Sequence, residues 1–471
     1  MRGKLRTFSL VAFGAVLGIM VSLHLSAIAD KDTPPAPLPI DDLRAFTEVF
    51  GKIKSDYVEP VTDKKLITEA INGMLSGLDP HSAYLDKDAF KDLQVSTQGE
   101  FGGLGIEVGM EDGFVKVISP IEDTPAYLAG IKPGDLIIKL DDTPVKGLTL
   151  NDAVKRMRGK PNTKITLTIL RKGAAKPLVF TLTRSVIQIK SVKYHLLDPG
   201  YGYIRITQFQ ERTGEDLAKA IETLSKQNKA ALKGLVLDLR NDPGGLLNSA
   251  VAVSSAFLPK DALVVYTDGR TEDAKMRLTA NKDYYLHGNQ SDYLKNLPEW
   301  TKTVPMIVLV NGGTASASEI VSGALKDHKR AIIMGTQTFG KGSVQSVLPL
   351  GNGTAIKLTT ARYYTPSGNS IQAKGITPDI IVEDATVNET DKQAFSVHEV
   401  DLENHLTNDK DKNVKPDNAP VRLQAPKKGK DEKPSLPAAD KPIDSETAIK
   451  QDYQLTQALN LLKGLQIIQH R

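Results

Sequence analysis

The 471-residue chain contains no cysteine, and that single lack removes thiol nucleophiles, disulfides and thiolate metal sites together. An exported protein that avoids stray oxidation is consistent with it. A strong charge of either sign is also missing: 60 Lys and Arg face 56 Asp and Glu, so the formal charge is only +4. Phosphate-backbone binding needs a larger basic excess, and nucleic acid is therefore not expected as a partner. No internal repeat is visible. Histidine, the commonest general base, is present eight times, at 24, 81, 195, 287, 328, 398, 405 and 470, and none stands in a distinctive setting.

What is present begins at the N-terminus. Arg2, Lys4 and Arg6 precede an apolar run over residues 8–25 that ends near Ala27-Ile28-Ala29. This layout predicts a secretory signal over 1–29, cleaved after Ala29, and hence a periplasmic or cell-envelope protein. The run is also long enough for an uncleaved membrane anchor, although Ser22 and His24 weaken its far end.

Residues 30–96 read as a helical arm: Phe46, Val49, Phe50 and Ile53 recur at helical spacing, as do Leu66, Ala70, Met74 and Leu75, so helices are expected across 43–90. Over 97–187 short alternating strands at 114–118, 135–140 and 164–170 surround one helix at 150–157, which predicts a compact β-rich module. Strands and helices alternate from 201 to about 382, predicting an α/β core within 188–400. Residues 401–443 are rich in Lys, Asp, Pro and Ala and read as a disordered linker. A last helix lies within 444–471, where Leu455, Ala458, Leu459 and Leu462 form an apolar stripe that either self-associates or packs back on the core.

Three segments carry chemistry. The apolar run 305–310 leads into Asn311-Gly-Gly-Thr-Ala-Ser316-Ala-Ser318-Glu319 and then a helical stretch. Ser316 is thereby placed at a strand-to-helix turn, beside the free N–H groups of a first helical turn, that of Ala317 included. Ser followed three residues later by Glu is equally how an ordinary helix is capped. A serine needs a base, and Gly340-Lys341-Gly342-Ser343-Val344-Gln345 offers one: glycines on both sides let the lysine approach closely, and burial lowers its affinity for a proton. Gln345 is positioned to orient the amine. The stretch from Gly335 to Gly342 also approaches a phosphate loop, but Gly342 stands where that motif needs a hydroxyl and the following residues read as a strand. Asp238-Leu-Arg240-Asn-Asp-Pro-Gly244-Gly245 leaves a strand and turns on glycines whose N–H groups suit the second half of an oxyanion hole, or simply make a tight turn with Asp238 and Arg240 paired. In the β-rich module, Gly103-Leu104-Gly105-Ile106 opens a strand where a peptide end can add beside the helix bearing Val154 and Met157.

Together these residues resemble the carboxyl-terminal processing, or tail-specific, serine proteases over nearly the whole mature chain. Leu78-Asp-Pro-His-Ser-Ala-Tyr84, the Gly103 to Ile106 loop, the Asp238 segment, Ala315-Ser-Ala-Ser-Glu319, Phe339-Gly-Lys-Gly342 and Ala361-Arg-Tyr-Tyr-Thr-Pro-Ser-Gly368 fall in the family's order. The resemblance implies a crotonase/ClpP-like α/β protease core with a β-rich PDZ domain and N-terminal helices. It implies Ser316 as nucleophile, Lys341 as base, Gln345 as its orienter, and Gly244, Gly245 and Ala317 as oxyanion donors. Asp327 matches an acidic position sometimes implicated, and Thr314 replaces a more usual serine. No metal or cofactor is implied. The expected partners are protein substrates with accessible C-terminal tails, further copies of the chain in a homo-oligomer, and an activating adaptor protein. The competing reading is a non-catalytic PDZ scaffold, which has no need to keep Ser316 and Lys341 together.

Overall fold

The computed structural model describes residues 39–383, 398–407 and 452–469, apart from positions 122, 175 and 403. The expected signal and most of the expected linker lie outside the described residues. The chain divides into two compact units, 1–71 and 72–471. In the first, helix α1 (Ile40–Asp56) starts on Asp41 and Asp42 and ends on Lys54, charges that complement the helix dipole. Its stripe of Leu43, Phe46, Val49 and Ile53 is exposed. Helix α2 (Asp63–Ser76) runs across the boundary into the second unit.

Helices alone were expected across 43–90, but a strand, β1 (Ala83–Leu85), interrupts them. Asp79 makes the turn before it, accepting from the His81 and Ser82 N–H groups at 2.8 and 2.9 Å. β1 then pairs with a distant strand in the α/β core, a long-range contact that no local periodicity reports. Helix α3 (Lys87–Gln98) follows, capped by Asp86 and stopped by Gly99 in the left-handed region.

The β-rich module contains β2 (Glu100–Gly103), β3 (Ile106–Glu111), β4 (Phe114–Pro120), β5 (Leu136–Leu140), β6 (Thr143–Pro144), helix α4 (Leu150–Met157), β7 (Lys164–Leu170), β8 (Leu178–Thr183) and β9 (Ser185–Gln188). The main sheet runs β3-β4-β5-β7-β8, with β6 on β5, and β2 pairs with β9. Val115 and Val117, and Ile165, Leu167 and Ile169, point alternately inward as the two-residue period requires. β3 is an edge strand.

The α/β core comprises β10 (Val192–Asp198), β11 (Tyr201–Ile206), α5 (Thr213–Asn228), β12 (Gly234–Asp238), α6 (Leu247–Phe257), β13 (Leu263–Gly269), β14 (Arg277–Thr279), β15 (Met306–Val310), α7 (Ala317–Asp327), β16 (Ile332–Gly335), β17 (Ser343–Pro349), β18 (Ala355–Tyr364), β19 (Ile380–Ile381) and α8 (Tyr453–Gln469). One sheet runs β10-β11-β12-β15-β16-β19, parallel from β11 onward; a second, antiparallel, joins β1, β18, β13 and β14 with β17 on β18. Every residue of β12 and β15 is buried, as parallel strands covered on both faces must be. Helices α5, α6 and α7 cover one face through Leu217, Ile221, Val251, Phe257, Ile320 and Val321. On the other, Leu455, Ala458, Leu459 and Leu462 of α8 pack on Tyr201, Tyr203, Val236, Ile307 and Leu309. Of the two outlets expected for the last helix, packing back on the core is the one observed. Arg240 fastens its start, bonding Asp238 at 2.6 Å and Asp452 at 2.6 Å.

Candidate active site

The carboxyl ends of three neighbouring parallel strands supply the site: Gly244 and Gly245 follow β12, Ser316 follows β15 and Lys341 follows β16, where open α/β sheets bind ligands. Ser316 has φ 57 and ψ −115, a left-handed φ that ordinary side chains avoid, and α7 begins at the next residue. Such an elbow holds a serine clear of strand and helix at a cost of about 1–3 kcal/mol, so the surroundings must over-determine it. Thr314, buried below the turn, helps: its hydroxyl donates to the Leu239 carbonyl at 2.8 Å, tying the elbow to the end of β12.

Glu319 contributes most. It is fully buried, and its Oε2 accepts the N–H of Ser316 at 2.8 Å and the N–H of Lys341 at 3.0 Å. Its Oε1 accepts the Thr338 hydroxyl at 2.6 Å and the Gly340 N–H at 2.8 Å. One carboxylate oxygen therefore fixes the spacing between the two backbones that carry the expected nucleophile and base. Burial pushes Glu319 up to about 7 against the pull of those four donors. The sequence reading saw a helix cap here; the overlooked signal is a carboxylate beside Ile320 and Val321 in a helix that buries nearly every residue.

Lys341 is held low by burial first and by Lys357 second, while Glu399, Glu319 and Asp79 favour its charged form. Tyr363, buried on β18, donates its hydroxyl to the Lys341 carbonyl and also meets the Ser316 side chain. Gln345 directs its amide nitrogen to Ser343 at 3.0 Å and Thr359 at 3.2 Å, which leaves its oxygen as the end available to an amine. Thr359 in turn donates to Asp79 at 3.1 Å. Among the described residues no hydrogen bond joins the Lys341 amine to the Ser316 hydroxyl or to Gln345, whereas the two backbones meet on Glu319. β17 starts at Ser343, directly after Gly342, so the phosphate-loop alternative lacks its helix.

The glycine turn requires one correction. A Cβ on Gly244, at φ 93, would lie 2.8 Å from both the Ala317 nitrogen and the Ser316 Cβ, and a Cβ on Gly245, at φ 147, would meet the Phe209 carbonyl at 2.1 Å, so only glycine fits either place. The Gly244 N–H, however, is spent on Asp242 Oδ1 at 2.8 Å. Asp242 is fully buried, and burial pushes it up to about 7. The turn thus abuts Ser316 as expected, but Gly244 shapes it instead of donating from it. Asp327 does not join the site, since it closes the far end of α7, about 16 Å along the helix axis from Ser316, and binds the Ser367 N–H and hydroxyl at 2.8 and 2.6 Å. Nor does Ser318, whose buried hydroxyl donates to the Asp242 carbonyl at 3.0 Å. Ser318→Ala is expected to keep at least half of the parent's turnover of an unfolded protein while losing about 1 kcal/mol of stability in urea titration.

In the β-rich module, Leu104 and Met157 are buried in the core, whereas Ile106 on the edge strand β3 and Val154 on α4 are half-buried and pack against that core from its margin. Gly105, at φ 76, presses on Thr124, whose hydroxyl donates to the Gly105 carbonyl at 3.1 Å. Of the expected peptide-binding residues, Ile106 and Val154 offer accessible surface and Leu104 and Met157 support them. The histidines need one revision too: His81 meets the fully buried Glu399 at 2.7 Å, a setting that sequence gave no sign of.

Comparison with known proteins gives a consistent result. The model of peptidase family S41 matches residues 200–382, that of the PDZ domain residues 102–181, and that of the activating protease CtpB N-terminal domain residues 21–89. The chain is 45% identical over 453 residues to the carboxy-terminal-processing protease of Bartonella bacilliformis, covering 95% of each chain. It is 36% identical to the carboxy-terminal processing protease CtpB of Bacillus subtilis, covering 80% of this chain and 78% of that one. Among solved structures, the photosystem II D1 C-terminal processing protease is similar at 31% identity and a TM-score of 0.39, covering 72% of this chain and 86% of that one.

Proposed function

Since the chain belongs to peptidase family S41, as a carboxy-terminal processing serine protease with a PDZ domain, we propose that it cuts polypeptides through an acyl-enzyme on Ser316. Neutral Lys341 takes the Ser316 proton as the hydroxyl attacks the scissile carbonyl, and passes it to the leaving amine; water then releases the acyl group by the same route in reverse. The N–H groups of Ala317 and Gly245 receive the developing oxyanion, and Gln345 orients the amine. The observation that carries this reading is the Glu319 oxygen shared by the Ser316 and Lys341 N–H groups. A scaffold without catalysis has no use for that bridge. No metal or cofactor enters the chemistry, and the core is read as related to the crotonase/ClpP-like fold.

Substrate tails add as a strand on the free edge of β3 near Ile106 and Val154. Tail binding then gates catalysis. The lack, among the described residues, of a hydrogen bond between the Lys341 amine and the Ser316 hydroxyl supports this, and so does a continuous route between the sites. Lys155 and Arg158 at the end of α4 pair with Asp88 and Asp92 of α3 at 2.6 and 3.3 Å, and β1, just before α3, pairs with the strand whose Thr359 receives Gln345. The chain is further read as exported to the periplasm or cell envelope, cleaved or held by its signal, as a homo-oligomer through the exposed α1 stripe, and as the target of an activating adaptor. Nucleic acid has no part.

Hydrolysis of a short reporter peptide that lacks a PDZ-binding end is expected to rise several-fold when an uncleavable apolar-tailed peptide is added, because a ligand shifts an equilibrium only by its differential affinity for the two states. Ile106→Asp is expected to lose the stimulation and keep the basal rate. No response in either the parent or the variant, with peptide binding to the parent confirmed, would leave the module as a passive tether.

A further inference from the structure

The lysine loop is also held by a second buried carboxylate residue. A turn at Glu399–Asp401 lies against it, and Glu399, fully buried, donates its N–H to the Phe339 carbonyl at 3.1 Å, two residues before Lys341. Its Oε1 accepts from Gln372 Nε2 at 2.9 Å, and Gln372 Oε1 accepts the Gly342 N–H at 2.9 Å, one residue after Lys341. His81 Nε2 meets both Glu399 oxygens, at 2.9 and 2.7 Å. His81 belongs to the turn in which Asp79 holds Ser82 and Thr359, the latter a partner of Gln345. One polar network therefore grips the backbone on both sides of Lys341 and reaches the residue read as its orienter.

We propose that Glu399, held by His81, is a positioning residue for Lys341: it straps the lysine loop in place, and its carboxylate biases the proton affinity of the amine. The inference rests on the reading of Lys341 as the general base. An amide at position 399 would satisfy Gln372 equally well, and a buried carboxylate costs several kcal/mol of desolvation, so the charge itself needs a use. A base must hold the proton it takes; an amine stripped of counter-charge by burial is neutral but weak. Lys357 on β18 pushes Lys341 further down, while Glu319 on α7, Asp79 before β1 and Glu399 oppose it, Glu399 first among the three. Tyr363 stays neutral through burial, and Asp401 beside Glu399 is engaged by the His398 N–H. Glu399 is the member of this set that also holds the loop on both flanks of the amine.

The test is the pH dependence of kcat for the short reporter in the full chain. Removing the charge makes Lys341 lose its proton at lower pH, so Glu399→Gln is expected to move the acidic limb down by about half a pH unit or more and to lower the plateau. Glu399→Asp, which keeps the charge with a shorter reach, is expected to lower the plateau and leave the limb in place. Lys357→Gln is expected to move the limb upward. The part of the limb that Glu319 contributes is common to all variants. A Glu399→Gln limb that stays with the parent, or equal movement in Glu399→Asp, would overturn the proposal. Should Glu399→Gln not fold, Glu399→Met carries the same test with a neutral side chain of similar length. A Lys341→Ala variant that keeps its activity would instead overturn the reading of the base.

Discussion

Ser316→Ala and Lys341→Ala are each expected to reduce turnover of an unfolded protein by roughly four orders of magnitude or more, and the double variant by no more than either alone, because nucleophile and base act as one unit. The fold is expected to survive all three changes. The Ser316 hydroxyl is not part of the backbone scaffold: the elbow is held by its N–H on Glu319 and by Thr314 on Leu239. The Lys341 amine is likewise not what fixes its loop, which is tied through the N–H groups of residues 340, 341 and 342. Removing a buried amine also relieves a desolvation cost, so Lys341→Ala is expected to unfold at or slightly above the parent's temperature. Steady-state kinetics and thermal unfolding of the three variants check this; additive losses would mean that the two side chains work independently.

Glu319→Gln is expected to lower kcat about a hundredfold with KM for a short reporter nearly unchanged, since small misplacement of reacting groups costs about that much. Four donors converge on the carboxylate, two on each oxygen. An amide can serve only one pair as acceptor. With its NH2 toward Ser316 and Lys341 two N–H groups face a donor; with it toward Thr338 and Gly340 the Gly340 N–H does. Either way a buried donor loses its partner, and the shared reference point of nucleophile and base shifts. The same logic fixes a pH sign. Burial holds Glu319 at about 7, so its carboxylate gains a proton as pH falls through that value. An acceptor then becomes a donor, and activity declines on the acid side. The kcat/KM split and peptide binding to the PDZ domain separate this from general damage: binding is expected to be unchanged.

Much of the architecture was legible because it is written in local pattern. In the β-rich module the strands expected at 114–118, 135–140 and 164–170 and the helix at 150–157 are observed within one or two residues as β4, β5, β7 and α4, and the alternation around β12, β15 and α7 follows apolar periodicity. What was not legible depends on partners distant in sequence. β1 forms because β18 offers it an edge, some 270 residues later. The stripe on α8 was equally compatible with another copy or its own core until Arg240 and the face of Val236 and Ile307 were seen beneath it. In the site, Ser316, Lys341 and the glycine turn were visible as small-residue motifs around single polar groups. Glu319 was not, because its cap-like spacing accounts for the Ser316 bond alone and hid three tertiary ones. The donor role expected of Gly244 failed for a similar reason: whether its N–H is free depends on the Asp242 rotamer, which no motif records. His81 and Glu399 stand 318 residues apart, and neither announces the other.

The most direct test is covalent. The full chain is incubated with a fluorophosphonate, which phosphonylates only an activated serine, and the product is weighed intact and mapped by peptide mass. One adduct per chain is expected, on Ser316, absent from Ser316→Ala and forming at least about a hundredfold more slowly in Lys341→Ala. An adduct on Ser318 or another serine, or labelling of Lys341→Ala at the parent's rate, would contradict a Ser316 nucleophile activated by Lys341.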